Sequence, residues 1–329
     1  MNLSLNKKYN FDIDASVNSY EGELALPYVT AALLGAETIA KGRCRFLEGI
    51  VGKTVISGLA TTDTLQDASC SWEDGSNVAL TEQVLNPADL AVMEEVCRGT
   101  MYPTWIAANG RMQRNGDLPV TWADFLLGAV AERTGTSVET GIWQGMQDAT
   151  PATYLTGFLS GGTTITETTI DASPMANFVE AETSAGAWTA DNILANLSAM
   201  FDAAAGIPGI LQKPGCGFYV SYEAYAFFLQ AVAGQASGPG YQTDLRGEVT
   251  FLGYPVYATA GLPNEVDVAV FTYPDNLVVG ANSYTADISA QIIPTYQYDG
   301  SDNVRIAMRF ALGAQVGVAG DGVVGFLFT

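Results

Sequence analysis

Apolar residues recur along this chain with two different periods, and each period predicts a different element. In 122–146, Trp122, Phe125, Leu126, Ala129, Val130, Val138, Ile142 and Met146 return at helical spacing. Thr121 and Asp124 form a capping box ahead of them. The run predicts a helix ~37 Å long at ~1.5 Å per residue, with Gly135 and Gly141 as points where it can kink. Residues 189–208 predict a second helix, capped by Thr189, striped by Ile193, Leu197, Met200, Phe201 and Ala204, and stopped by Gly206 and Pro208. Ser221 caps a third, and 28–40 carry a helical stripe as well. Residues 86–97 also read as a helix, with Asn86 as N-cap and Pro87 at the first helical position.

The rest of the chain is organised by alternation. Short apolar runs at 216–220, 249–260, 266–273, 276–280, 289–298, 303–318 and 323–328 predict strands, and 153–181 read as strands and loops. In "DASCSWEDGSNVALTEQVL" (67–85), Ala68, Cys70 and Trp72 alternate with polar residues, and 73–76 form a turn. Val78, Leu80 and Val84 then alternate again. A connecting loop of odd length sets Trp72 opposite Val78 and Cys70 opposite Leu80, giving one apolar face. A lone hairpin is marginal in water, so this face needs a cover. Cys70, Trp72, Val78, Leu80 and Val84 are therefore expected at a contact between subunits. Residues 1–20 are polar, without periodicity, and read as an extended arm.

Composition narrows the chemistry. The chain has 329 residues, a length that suggests about two domains, with 48% hydrophobic and only 15% charged residues. Its 14 basic and 35 acidic residues give a net charge of −21, which opposes phosphate-backbone binding. Histidine is absent, which removes Ser-His-Asp triads, Cys-His dyads and His-ligated zinc. Cys44, Cys70, Cys97 and Cys216 form no C-x-x-C pair and read as reduced, mostly buried residues.

"GIVGKT" (49–54) ends like a phosphate loop, but the Gly required at 47 is Leu47 and no helix pattern follows. "YDGSDN" (298–303) misses the spacing of a calcium loop and reads as a turn between strands. Lys53, among apolar neighbours, reads as a snorkelling side chain. No pair of carboxylates is brought into a cleft by anything in the sequence. The expectation is a protein that is not an enzyme, with no catalytic, cofactor or metal residues. No signal-peptide or membrane-spanning pattern is visible, so synthesis in the cytoplasm is expected.

The order of elements resembles the major capsid proteins of tailed bacteriophages, with the Hong Kong 97-type fold. "GIVGKTVISGLATTDTLQDASCSWEDGSNVALTEQVL" resembles the extended loop of that family, and "LPVTWADFLLGAVAERTGTSVETGIWQGM" its spine helix. "GCGFYVSYEAYAFFLQAV…GYPVYATAGLP…VAVFTYPDNLVVG" resembles the axial domain, and "VRIAMRFALGAQVGV" the strands returning to the peripheral domain. The resemblance implies an α+β fold: N-terminal arm (1–20), N-terminal helix region (21–42) and extended β-hairpin loop (43–85). A peripheral domain with the spine helix (86–187 and 289–329) and an axial α/β domain (188–288) complete it. It implies self-assembly into hexamers and pentamers of an icosahedral viral capsid enclosing double-stranded DNA that is not specifically bound. Neighbouring capsomers and separate scaffold, portal and decoration proteins are the implied partners, with no membrane involved. Assembly in the host cytoplasm and residence in the virion follow from it. Some members join a loop Lys covalently to a neighbour, but 67–85 contain no Lys, so that chemistry is not carried over. An encapsulin-type nanocompartment shell is the alternative within the fold, and a β-rich surface adhesin the alternative outside it.

Overall fold

The computed structural model describes residues 19–21, 31–61, 78–97, 99–100, 103–107, 122–147, 153–160, 165, 170–171, 173–181, 187–234, 249–264, 267–282, 289–295, 298, 300–301 and 303–326. The first half of the chain supplies β1 (Ser19–Glu21), α1 (Glu37–Ala40), β2 (Arg45–Glu48), β3 (Thr54–Thr61), β4 (Val78–Leu85), β5 (Ala88–Cys97), α2 (Trp122–Gln144), β6 (Met146–Gln147) and β7 (Thr153–Leu155). The second half supplies β8 (Val179–Ala181), α3 (Ile193–Ala205), β9 (Gly217–Val220), α4 (Tyr222–Gly234), β10 (Thr250–Phe251) and β11 (Tyr254–Ala258). β12 (Val268–Thr272), β13 (Leu277–Asn282), β14 (Ser289–Pro294), β15 (Asn303–Val316) and β16 (Val323–Phe326) follow.

The first sheet is built around the long strand β15. β13 and β14 lie end to end along one edge, from Leu277 opposite Val316 to Pro294 opposite Val304. β5 runs antiparallel along the other, from Ala88 opposite Leu312 to Cys97 opposite Asn303. β2 adds to β13 in parallel, and β1 adds to β14. One face is covered by α2. Leu126, Val130, Val138 and Ile142 share a core cluster with Val304, Ile306, Met308 and Phe310.

Along β15 the even positions are buried throughout, whereas the odd ones are open only as far as Arg309. From Ala311 onward both faces are covered, because Leu85, Asn86 and Pro87 cross over Gly313.

In the second sheet the order is β10-β11-β9-β12-β16-β8. α3 and α4 cover one face, where Ile193, Leu197, Met200 and Phe228 pack with Phe218, Phe271 and Val323. The opposite face gives Tyr219, Val268, Val270 and Val324 to the core cluster of α2. β9 and β12 are thus buried on both sides, which is why they read as continuous apolar runs instead of alternating ones. Ser221 caps α4 as its position predicts, accepting from the Ala224 N–H at 3.2 Å.

Two expectations from the sequence need correction. Residues 88–97 form a strand, not a helix. Their burial alternates strictly, and pairing with β15 along the whole strand outweighs the local capping signal of Asn86 and Pro87. The hairpin register also differs. β4 pairs with β3, Thr54 opposite Leu85 through Thr61 opposite Val78. Val78 therefore faces Thr61 and Leu80 faces Leu59, because the eight-residue run 54–61 is a longer partner than 68–72. Cys70 and Trp72 lie outside the described residues. Sheet membership crosses residue 288 in both directions. β13 belongs to the first sheet, β16 to the second, and β2 pairs with β13 rather than with the hairpin.

α2 is a single helix of 23 residues, continuous through Gly135 and Gly141 and closed by Gly145 at φ 74°. Gly135 serves close approach, not a kink. A Cβ there would lie 2.7 Å from the Gly35 Cα, where the helical turn 31–34 ends.

Candidate assembly surfaces

The β3–β4 ribbon is anchored to the body at its base. Leu85 is fully buried, and its Cδ atoms occupy the space that side chains at Gly280 and Gly313 would fill. Gln315 Nε2 donates to the Val84 carbonyl at 3.2 Å and to Gln83 Oε1 at 3.4 Å. Further out, the Thr81 hydroxyl donates to the Gly58 carbonyl at 3.1 Å. A Cβ at Gly58 would lie 3.4 Å from Val318, so the inner side of the ribbon rests near the turn after β15.

The outer side is different. Val55 and Val84 are cross-strand partners and are 54% and 47% exposed. In this register Thr61, Leu59 and Val55 stand opposite Val78, Leu80 and Val84.

A second open surface is the odd-numbered face of β5 and β15. Met93 is 69% exposed, next to Arg305 and Arg309 on β15. Glu95 accepts from Arg305 Nε at 2.9 Å and from Asn303 Nδ2 at 2.7 Å, while on the opposite, helix-covered side of β5 Arg133 of α2 stands 3.6 Å from Glu94. These are exposed pairs worth at most ~1 kcal/mol each, so they tune the surface more than they hold the fold.

Segment 37–44 is an elbow joining α2 to the second sheet. On one side Glu139 of α2, 2% exposed, accepts from the Thr38 N–H at 2.9 Å and the Thr38 hydroxyl at 2.5 Å. Trp143 Nε1 donates to the same hydroxyl at 2.9 Å. Burial pushes the Glu139 carboxyl above its usual value despite these donors. On the other side Arg43 donates to the Ala258 carbonyl at 2.6 Å and lies 4.6 Å over the Tyr257 ring, while Tyr219 donates to the Arg43 carbonyl at 3.0 Å.

Glu37 accepts from Tyr222 at 2.9 Å and from Lys41. Burial raises the Glu37 pKa, but the bonds from Lys41 and Tyr222 outweigh it and hold the carboxyl below its usual range. Nothing in the spacing of Thr38 and Glu139, 101 residues apart, announces this pair. The one visible signal is an acid set beside Val138 in the apolar stripe.

"GIVGKT" joins strand β2 to strand β3, and Lys53 is exposed. Gly300 turns the chain between β14 and β15 at φ 74°. Cys44 and Cys216 are buried free thiols pushed up to about 12 by burial, and Cys97 is exposed. Among the described residues there is no group of three metal-ligating side chains, and no helix is long and apolar enough to cross a membrane.

Comparison with solved structures places this architecture. The procapsid of satellite phage P4 with its size determination protein aligns with a TM-score of 0.56 at 12% identity, over 93% of this chain and 91% of that one. The capsid of Myoviridae phage XM1 aligns with a TM-score of 0.54 at 10% identity, over 88% and 92%. The capsid of an empty GTA particle aligns with a TM-score of 0.53 at 12% identity, over 91% and 90%. No family model and no curated relative matches the chain. The chain thus has the mixed α and β fold of tailed-phage capsid proteins. At these identities the likeness is one of fold, and it spans nearly the full length of both chains.

Proposed function

We propose that this chain is a major capsid protein. Copies of it assemble into the hexamers and pentamers of an icosahedral shell that encloses double-stranded DNA, and the protein resides in the virion. The observation that carries this reading is the alignment of about nine-tenths of the chain with phage capsid structures. The exposed Val55–Val84 pair on the β3–β4 ribbon supports it, since a shell subunit needs surfaces that only neighbours complete. The net charge of −21 fits an inner wall that encloses DNA without gripping it. Separate scaffold, portal and decoration proteins act with it during assembly in the host cytoplasm, and the chain performs no catalysis.

Electron microscopy of the expressed full chain, alone and with a co-expressed scaffold, tests this. Closed icosahedral shells are the expected result. Monomers under every assembly condition would overturn the reading. Uniform small shells that load an enzyme would move the chain to the nanocompartment class.

A further inference from the structure

Among the described residues, Leu252 is the only non-glycine residue with a positive φ, at 50°. With Gly253, at φ 88°, it makes the two-residue turn between β10 and β11. A turn with two positive φ values matches the twist of the strands it joins, and it calls for Asn, Asp or Gly at the first central position. A leucine there pushes its Cβ against its own backbone, a strain that Gly escapes and Asn tolerates.

The subunit leaves this turn no other shape. Phe251, 3% exposed, packs 5.8 Å from Phe218 and 6.1 Å from Phe228, and it stands directly opposite Tyr254. Tyr254 lies 5.7 Å from Phe271 and donates to the Leu211 carbonyl at 3.1 Å. The Val256 N–H donates to the Val249 carbonyl at 2.9 Å and extends the ladder. With both strands anchored, whatever residue stands at 252 must take a left-handed conformation. Nothing within the subunit requires that residue to be Leu. Its side chain is 53% exposed, so its own subunit covers less than half of it. β10 is the outermost strand of its sheet, so the turn lies at a free edge.

We propose that the Leu252 turn is a contact with a second copy of this chain, and that the strain at Leu252 is kept for that contact. This rests on the shell-protein reading and names a residue by which one subunit holds the next. An exposed apolar side chain held in a costly conformation is of use only when something covers it. Every copy carries the strain, so every copy needs the cover. In a shell built of one chain, the partner present in equal number is another copy. Charge points the same way. Copies with a net charge of −21 repel one another, and 249–264 carry no charged residue. One leucine covers far less than the ~800 Å² per partner of a standard interface, so this contact strengthens an assembly that other surfaces also hold.

Full-length Leu252→Asn and Leu252→Met test this through two readouts. One is urea unfolding of the subunit, and the other is the threshold concentration at which copies associate, followed by light scattering. Asn accepts the left-handed conformation and lacks the apolar side chain. Its subunit should unfold no more easily than wild type, while the threshold rises about tenfold, the loss expected when half a leucine side chain stays uncovered. Met keeps an apolar side chain of similar volume and should hold the threshold within about twofold of wild type. An unchanged threshold for Leu252→Asn overturns the proposal. So does easier unfolding of that variant, which would make Leu252 ordinary packing of its own subunit.

A photoreactive leucine analogue at 252, in an equal mixture of isotopically light and heavy copies, identifies the cover. Cross-links between the two isotopes are expected, and cross-links confined to one copy or to a different protein overturn the proposal. Copies that cross-link through 252 but never close into shells would sink the shell reading and leave the contact standing. Shells that form normally from Leu252→Asn would do the reverse.

Discussion

Gly280 and Gly313 face each other across β13 and β15, and neither has room for a side chain. A Cβ on Gly280 would stand 2.5 Å from both Leu85 and Ile50. One on Gly313 would stand 3.1 Å from the Asn86 carbonyl and 3.2 Å from Leu85. The pair makes a bed into which the base of the ribbon settles. Gly280→Val should destabilise the subunit by ~1–3 kcal/mol through overpacking. Leu85→Ala should cost ~2–5 kcal/mol, because the empty bed cannot collapse around the missing atoms. Urea unfolding of both variants measures this. A cost below ~0.5 kcal/mol for either would mean that the ribbon's base is not anchored here.

The exposed Val55–Val84 pair calls for a different outcome. Val84→Asp puts a charge on a surface that is open in the single subunit, so its melting temperature should move little, within ~0.5 kcal/mol of stability. Assembly should fail, because a contact covering that face would bury an unpaired carboxylate. Parallel loss of subunit stability and assembly would mark Val84 as ordinary core.

The sequence makes long regular elements easy to find and long-range pairings hard. The stripe from Phe125 to Ile142 leads directly to α2, and "GFYV" and "VAVFT" to the buried strands. Strand 88–97 is misread because Asn86 and Pro87 are sound local capping signals, while its partner β15 lies more than 200 residues away. The strand over 78–85 is visible through the alternation of Val78, Leu80 and Val84. Their partners are not, since turn chemistry near 73–76 suggests a shorter hairpin than the one that forms. Thr38–Glu139 leaves almost no trace, because a buried hydrogen bond between distant segments imposes no periodicity.

Gly135 illustrates how two effects compete at one position. Replacing it with Ala gains up to ~1 kcal/mol of helix propensity in the interior of α2. The added Cβ would meet the Gly35 Cα at 2.7 Å, a backbone atom that cannot swing aside. Overpacking of ~1–3 kcal/mol should win, leaving Gly135→Ala net destabilised. Gly128, with nothing near its missing side chain, is the control, and there the same change should be neutral or stabilising. Thermal unfolding of the two variants side by side decides whether close approach or propensity dominates this helix.

Glu139 gives the fold a pH dependence whose sign can be worked out. Burial raises its carboxyl above the usual glutamate value of 4.5 in the folded chain, and unfolding returns it to that ordinary value. Between the two values the folded state binds the extra proton, so stability falls as pH rises through that window. The proton-linked stability is fully present below 4.5 and gone above the raised native value. Other carboxylates titrate in the same range, and Glu37, held low by its partners, contributes with the opposite sign. The comparison that isolates Glu139 is therefore wild type against Glu139→Gln, which keeps an acceptor for the Thr38 N–H and loses the titration. The stability of wild type minus that of the Gln variant should decline with rising pH from about 4.5 and level off once Glu139 is ionised. Glu139→Ala should instead lose ~1–3 kcal/mol, because the Thr38 N–H and hydroxyl are left buried without their acceptor. A difference that rises with pH would mean that the donors of Thr38 and Trp143 outweigh burial, and that the elbow is tightest with Glu139 charged.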